Sequence, residues 1–145
     1  MQARLNFFQH GPEAMQAMAG LERRIASSGL EQSLLELVRL RASQINGCAY
    51  CIDKHASDAL KAGESPRRLV ALPAWRETPF FDDRERAALE WTEALTLVAT
   101  SHVPDDAWAS VRSRFQNAEL VDLTLAIATV NSWNRFAVAF RKLPA

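Results

Sequence analysis

Cys48-Ala49-Tyr50-Cys51 and His55 place two thiols and an imidazole within eight residues, and these are the only cysteines in the chain. The cysteines are three apart and His55 follows Cys51 by four, so on an α-helix all three side chains share one face. Two thiols that close can form a reversible disulfide. A histidine one turn further on can move a proton to or from the nearer thiol. This is the minimum equipment for thiol redox chemistry.

Asn46-Gly47 precedes the pair and breaks the preceding helical pattern. The cysteines are therefore expected in the first turn of a helix, where unpaired N–H groups and the positive end of the helix dipole favour a thiolate. His55 lies one turn from Cys51 and nearly two from Cys48, which makes it the better base for Cys51. The histidine needs an orienting group, and the upstream carboxylates are Glu31 and Glu36. Glu36 lies close to the apolar flank of its helix, beside Leu37 and Leu40, where a carboxylate usually has a partner. A zinc site is the competing use of such residues. Cys48, Cys51, His55 and Glu36 could supply four ligands, but structural zinc normally draws on a second cysteine or histidine pair, and none exists here. Haem attachment needs histidine directly after the second cysteine, where Ile52 stands. No metal or other cofactor is expected.

The elements that must position these residues are helical. Glycine and proline are scarce, and no stretch alternates with period two. The expected helices are 12–27, 31–44, 48–62, 66–72, 82–100, 105–115 and 118–141, with 73–81 a loop between Pro73 and Pro79. Asp82 and Glu85 fit a capping box, Ser65-Pro66 a helix start, and Asn117 a cap for the last helix. The fold expected is an all-α, single-domain bundle of six to seven helices spanning 1–145. The last helix is apolar on most sides, through Leu120, Leu123, Ile127, Val130 and Val138, as a helix central to the fold or covered by another subunit would be. Trp75, Trp91, Trp108 and Trp133 fall at apolar helical positions and read as core or interface. Asn131, Asn134 and Arg135 are polar positions of a greasy helix, suited to an active-site lining or a subunit interface.

Seventeen basic and seventeen acidic side chains give zero formal net charge. A nucleic-acid or anionic-membrane surface usually needs a basic excess, so neither partner is expected. Zero net charge does little to keep copies apart and favours self-association. Residues 1–8 lack the apolar stretch of a signal peptide, and no run approaches the ~20 apolar residues of a membrane span, so a cytoplasmic setting is expected. There, a lone Cys-x-x-Cys points to catalysis or metal binding rather than a structural staple.

Glu36, the Cys48–Cys51 pair and His55 together resemble the core of the AhpD-like alkylhydroperoxidases of the carboxymuconolactone decarboxylase superfamily. That motif has a glutamate twelve residues before Cys-x-x-Cys and a histidine four residues after it. The stretches 40–47, 85–94 and 131–135 are similar to its peroxidase-related branch, and the resemblance covers residues 10 to 141.

The resemblance implies an AhpD-like helical fold, a hydroperoxide substrate and a relay in which Glu36 orients His55. His55 deprotonates Cys51, Cys51 attacks the peroxide and Cys48 resolves the resulting sulfenic acid as a disulfide. It also implies a dithiol reductant, with a lipoyl-bearing protein as precedent, and a homo-oligomer, trimer or hexamer. One position departs: family peroxidases can carry a second histidine just before the second cysteine, and here Tyr50 stands there. Tyrosine can hydrogen-bond but is no base near neutral pH. The rival readings are a decarboxylase acting on a carboxymuconolactone-type lactone, which has no need of a cysteine pair, and a redox sensor whose disulfide alters assembly without turnover.

Overall fold

The computed structural model describes residues 1–144 and contains no strand among them. Nine α-helices follow in order: α1 (Phe7–His10), α2 (Pro12–Ala26), α3 (Gln32–Asn46), α4 (Ala49–Lys61), α5 (Pro66–Ala71), α6 (Asp83–Thr96), α7 (Val98–Ser101), α8 (Asp105–Arg112) and α9 (Asn117–Ala139). A 3₁₀ segment, Leu72–Glu77, joins α5 to the loop before α6.

All seven expected helices are present, and the differences lie at their edges. The 3₁₀ segment begins at Leu72, the last residue of an expected helix, and winds through 73–77 where a loop was expected, because burial of Leu72 and Trp75 holds it against the core. The helix expected to reach Thr100 ends at Thr96, and α7 follows as a separate turn whose Ser101 hydroxyl donates to the α6 carbonyl of Ala94. Neither glycine nor proline marks that break. Asp82 and Glu85 form the expected capping box, whereas α9 is capped by Gln116 with Glu119, one residue before Asn117. The short α1 gave no periodic signal.

Helix α3 is the centre, packing against α4, α6 and α9. Its Leu35 and Val38 enter one core with Ile25, Ala88, Trp91, Leu123 and Ile127. Its Leu37 and Leu40 enter a second with Ala59, Leu72, Trp75, Phe81 and Leu89. Both sides of α3 are thus covered, which explains why nine of its fifteen residues are buried, Glu36 and Arg39 among them. A third cluster joins α1 and α2 to α9 through Phe7, Met15, Met18, Trp133, Phe136 and Phe140. It fastens the N-terminal helices over the end of the bundle where the cysteines lie.

Candidate active site

The turn between α3 and α4 sets the site. Gly47 adopts the left-handed conformation (φ 64°), which glycine tolerates without a Cβ penalty. This lets the Gly47 N–H reach Gln44 O at 3.2 Å and the Cys48 N–H reach Ser43 O at 3.0 Å, satisfying the last carbonyls of α3. The chain reverses within two residues, so α4 begins at once beside α3. Cys48 becomes the N-cap of α4, and its sulfur accepts the Cys51 N–H at 3.3 Å. Cys48 and Cys51 are joined in a disulfide, with Cα atoms 5.3 Å apart. The sulfurs therefore sit among the free N–H groups of a helix N-terminus, one residue from the position the spacing predicts.

His55, one turn beyond Cys51, meets Glu36 across the α3–α4 hairpin: Nδ1 lies 2.9 Å from Oε2. Glu36 Oε1 accepts from Gln32 Nε2 at 2.8 Å and from Arg39 Nη1 at 3.0 Å. Burial pushes this carboxyl upward, but the hydrogen bond and charge of His55, with those of Arg39, outweigh it and leave Glu36 below its ordinary value. An ionised carboxylate only accepts, so Nδ1 carries the proton and Nε2 is the ring nitrogen left for chemistry. A lowered carboxyl stabilises the fold above its unfolded value of 4.5, and that contribution is lost as pH falls through the depressed one.

Arg39 continues the network to Glu22 of α2 at 2.7 Å, and Glu22 accepts from Trp133 Nε1 of α9 at 3.0 Å. One hydrogen-bonded chain thus runs Trp133–Glu22–Arg39–Glu36–His55 and draws on four helices. Glu31, the other carboxylate considered for His55, pairs with Arg84 instead.

A cavity of about 300 Å³ opens over these groups. Cys51, His55, Glu36, Arg39, Glu22, Lys54 and Asp58 line it together with Phe7, Phe8, Tyr50, Trp133, Ala137 and Lys142, and Tyr50 and Ala137 pack directly against the cysteines. Cys48 does not reach it and is 1% exposed. Of the four residues singled out in the sequence, Cys51, His55 and Glu36 meet in the cavity and Cys48 sits behind Cys51. Phe7, Phe8, Glu22 and Lys142 carried no sequence signal. Trp133, read as core or interface, is part of the cavity wall.

The remaining candidates lie elsewhere. Asn131 and Asn134 are buried in a separate polar network with Asn46, Ser43 and Thr96. His10 ends α1, and His102 takes a left-handed turn conformation (φ 49°) before α8. Among the described residues, the group of side chains close enough to share a metal ion is Glu36, His55 and Asp58, with ligand atoms within 4.8 Å of one another. It differs from the cysteine-containing set considered from sequence, because sulfurs joined in a disulfide are not thiolate ligands. Its carboxylates are already engaged, Glu36 by His55 and Arg39, and Asp58 by Lys54 at 2.6 Å. That contact lowers Asp58 and raises Lys54.

Comparison with known proteins fits this geometry. The family model for the carboxymuconolactone decarboxylase family matches residues 12–94, a span that contains Glu36, Cys48, Cys51 and His55. The uncharacterized protein YdfG of Bacillus subtilis is 41% identical over 139 residues, covering 96% of this chain and 95% of its own. A crystal structure of a protein of unknown function from Agrobacterium tumefaciens, suggested to be an antioxidant defence protein AhpD, superposes with a TM-score of 0.96. It is 41% identical, with 99% of each chain covered. The alkyl hydroperoxide reductase AhpD of Coxiella burnetii is 49% identical over 41 residues, 28% of this chain and 23% of its own. The chain, all-α with its cysteine pair beside a glutamate and a histidine, belongs to the carboxymuconolactone decarboxylase family and to the AhpD-like proteins within it.

Proposed function

We propose that the protein is a thiol-dependent hydroperoxide reductase with Cys51 as the attacking sulfur. The observation that carries this reading is the placement of Cys51 in the cavity, one turn from a histidine held by an ionised Glu36, with Cys48 bonded behind it. His55 takes the proton of the Cys51 thiol at Nε2. The thiolate attacks the terminal oxygen of R–O–OH; an S–O bond forms and the O–O bond breaks. The departing alkoxide takes the proton back from His55 and leaves as alcohol, and Cys51 is oxidised to the sulfenic acid. Cys48 attacks that sulfur, its own proton leaves with hydroxide as water, and the disulfide forms. A dithiol partner, of which a lipoyl-bearing protein is one kind, returns two electrons and two protons. A reducing compartment such as the cytoplasm suits this cycle.

Mass spectrometry of the reduced protein after one equivalent of organic hydroperoxide tests the reading. The expected product is lighter by two hydrogen atoms and carries a Cys48–Cys51 disulfide, and a dithiol restores the reduced mass over repeated cycles. Oxidation once without turnover favours the sensor, and no oxidation overturns the reading.

We also infer a homo-oligomer, trimer or hexamer. Val121 and Val138 of α9 and Trp108 of α8 are exposed, and Trp91, Trp108, Leu120 and Val121 border an open apolar groove. Adjacent large apolar side chains are what a permanent interface covers. Light scattering after size exclusion should give a multiple of the 16.2 kDa chain mass; a stable monomer at tens of micromolar protein overturns it.

No helix among the described residues is long and apolar enough to cross a membrane.

A further inference from the structure

Beside Tyr50, which lies between the two cysteines, the cavity lining carries a charge that the reaction does not use. Lys142 Nζ lies 4.5 Å from the ring centroid of Tyr50, 4.8 Å from Phe8 and 5.7 Å from Phe7. It is placed by backbone geometry. Arg141 takes a left-handed conformation (φ 52°), the Lys142 N–H bonds Ala137 O at 2.9 Å and the Arg141 N–H bonds Val138 O at 3.3 Å. That reversal ends α9 and returns residue 142 to the cavity. The N-terminal segment locks it from the other side: the Arg4 N–H donates to Phe140 O at 2.9 Å and Arg4 Nη1 to Ala139 O at 3.0 Å.

The other cations of the cavity are spent. Arg39 lies between Glu36 and Glu22, and Lys54 bonds Asp58. Lys142 has no carboxylate within salt-bridge distance among the described residues. An ammonium against three ring faces has lost part of its water and keeps its need for a counter-ion. Its neighbours Phe7 and Phe8, like Lys142 itself, lie outside the span matched by the family model. Among the described residues the cavity thus joins an apolar wall to a positive charge that no carboxylate pairs.

We propose that the cavity binds amphipathic carboxylates, with Lys142 pairing the carboxylate and the Phe8 and Trp133 wall holding the apolar body. The preferred hydroperoxide is then one bearing an acid group, which rests on the reductase reading for the reaction but not for binding. The cavity's volume of about 300 Å³ suits a small aryl or medium-chain body rather than a long lipid.

Calorimetric titration of the oxidised protein with octanoate and with methyl octanoate tests binding without chemistry. A charge-assisted contact predicts that octanoate binds about ten-fold more tightly. The ratio should fall towards one in Lys142→Met, which keeps the stem against the rings, and return in Lys142→Arg; added salt should lower it. Equal affinity in the unmodified protein, or a preference that survives in Lys142→Met, overturns the proposal. In parallel, 4-carboxycumene hydroperoxide should exceed cumene hydroperoxide in kcat/KM by a similar factor. If neither is reduced while octanoate is still preferred, the reductase reading fails and the anion site stands. If both are reduced equally and octanoate binds no better than its ester, the anion site fails and the reductase stands.

Discussion

Cys51→Ser should abolish hydroperoxide consumption, whereas Cys48→Ser should still react once and accumulate a sulfenic acid at residue 51. Cys51 lines the cavity beside His55, and Cys48 is buried as the N-cap of α4 without access to it. A serine hydroxyl cannot replace the Cys51 thiolate, because its pKa leaves no usable anion near neutrality. Loss of Cys48 leaves the first step intact and removes only the thiol that resolves it. A dimedone adduct located at Cys51 by mass spectrometry in Cys48→Ser, with no catalytic turnover, is the expected result. Near-normal activity in Cys51→Ser together with loss in Cys48→Ser would reverse the two roles.

His55→Ala should slow the reaction of the thiol with peroxide by ~10²–10⁴-fold, the range of general acid–base assistance. Glu36→Gln should do much of the same damage. A neutral amide cannot offer the charge that fixes Nδ1 as the protonated nitrogen and stabilises the imidazolium formed when the thiol gives up its proton. The double variant should be little slower than His55→Ala, because residues acting as a unit are not additive. Fully multiplicative losses in stopped-flow measurements of thiol oxidation would place the work of Glu36 elsewhere. Glu36→Gln also leaves the buried Arg39 with Glu22 as its remaining carboxylate, so a stability loss of about 1–3 kcal/mol is expected. Thermal unfolding followed by circular dichroism measures that loss separately from the kinetic one.

Both predictions rest on a hairpin that is largely local in sequence. The spacing of Cys48, Cys51 and His55 determines that they share a helical face, since three and four residues are each about one turn. Asn46-Gly47 determines that the chain turns immediately before them, because glycine accepts the left-handed conformation that ends α3. With a connection that short, α3 and α4 must lie side by side, and Glu36, twelve residues ahead of Cys48, comes opposite His55. Helical periodicity and the Asp82–Glu85 capping box likewise made the fold class and most boundaries readable, because these depend on residues within one or two turns of each other.

What the sequence left open needed contacts between distant segments. Glu31 stood beside the favoured Glu36 as a second carboxylate for His55 until packing on both sides of α3 buried Glu36 and Arg84 drew Glu31 away. Trp133 joins Glu22 across 111 positions and Arg4 holds the end of α9 across 135, separations at which no periodicity operates. Part of the cavity lining comes from the two ends of the chain, Phe7 and Phe8 on a four-residue helix and Lys142 on a left-handed turn without glycine. Neither element has a strong local signal, since each is stabilised by the aromatic cluster it packs into rather than by its own pattern. Local spacing therefore determined which residues could carry the redox chemistry, and tertiary packing alone decided which of them face the cavity and what else lines it.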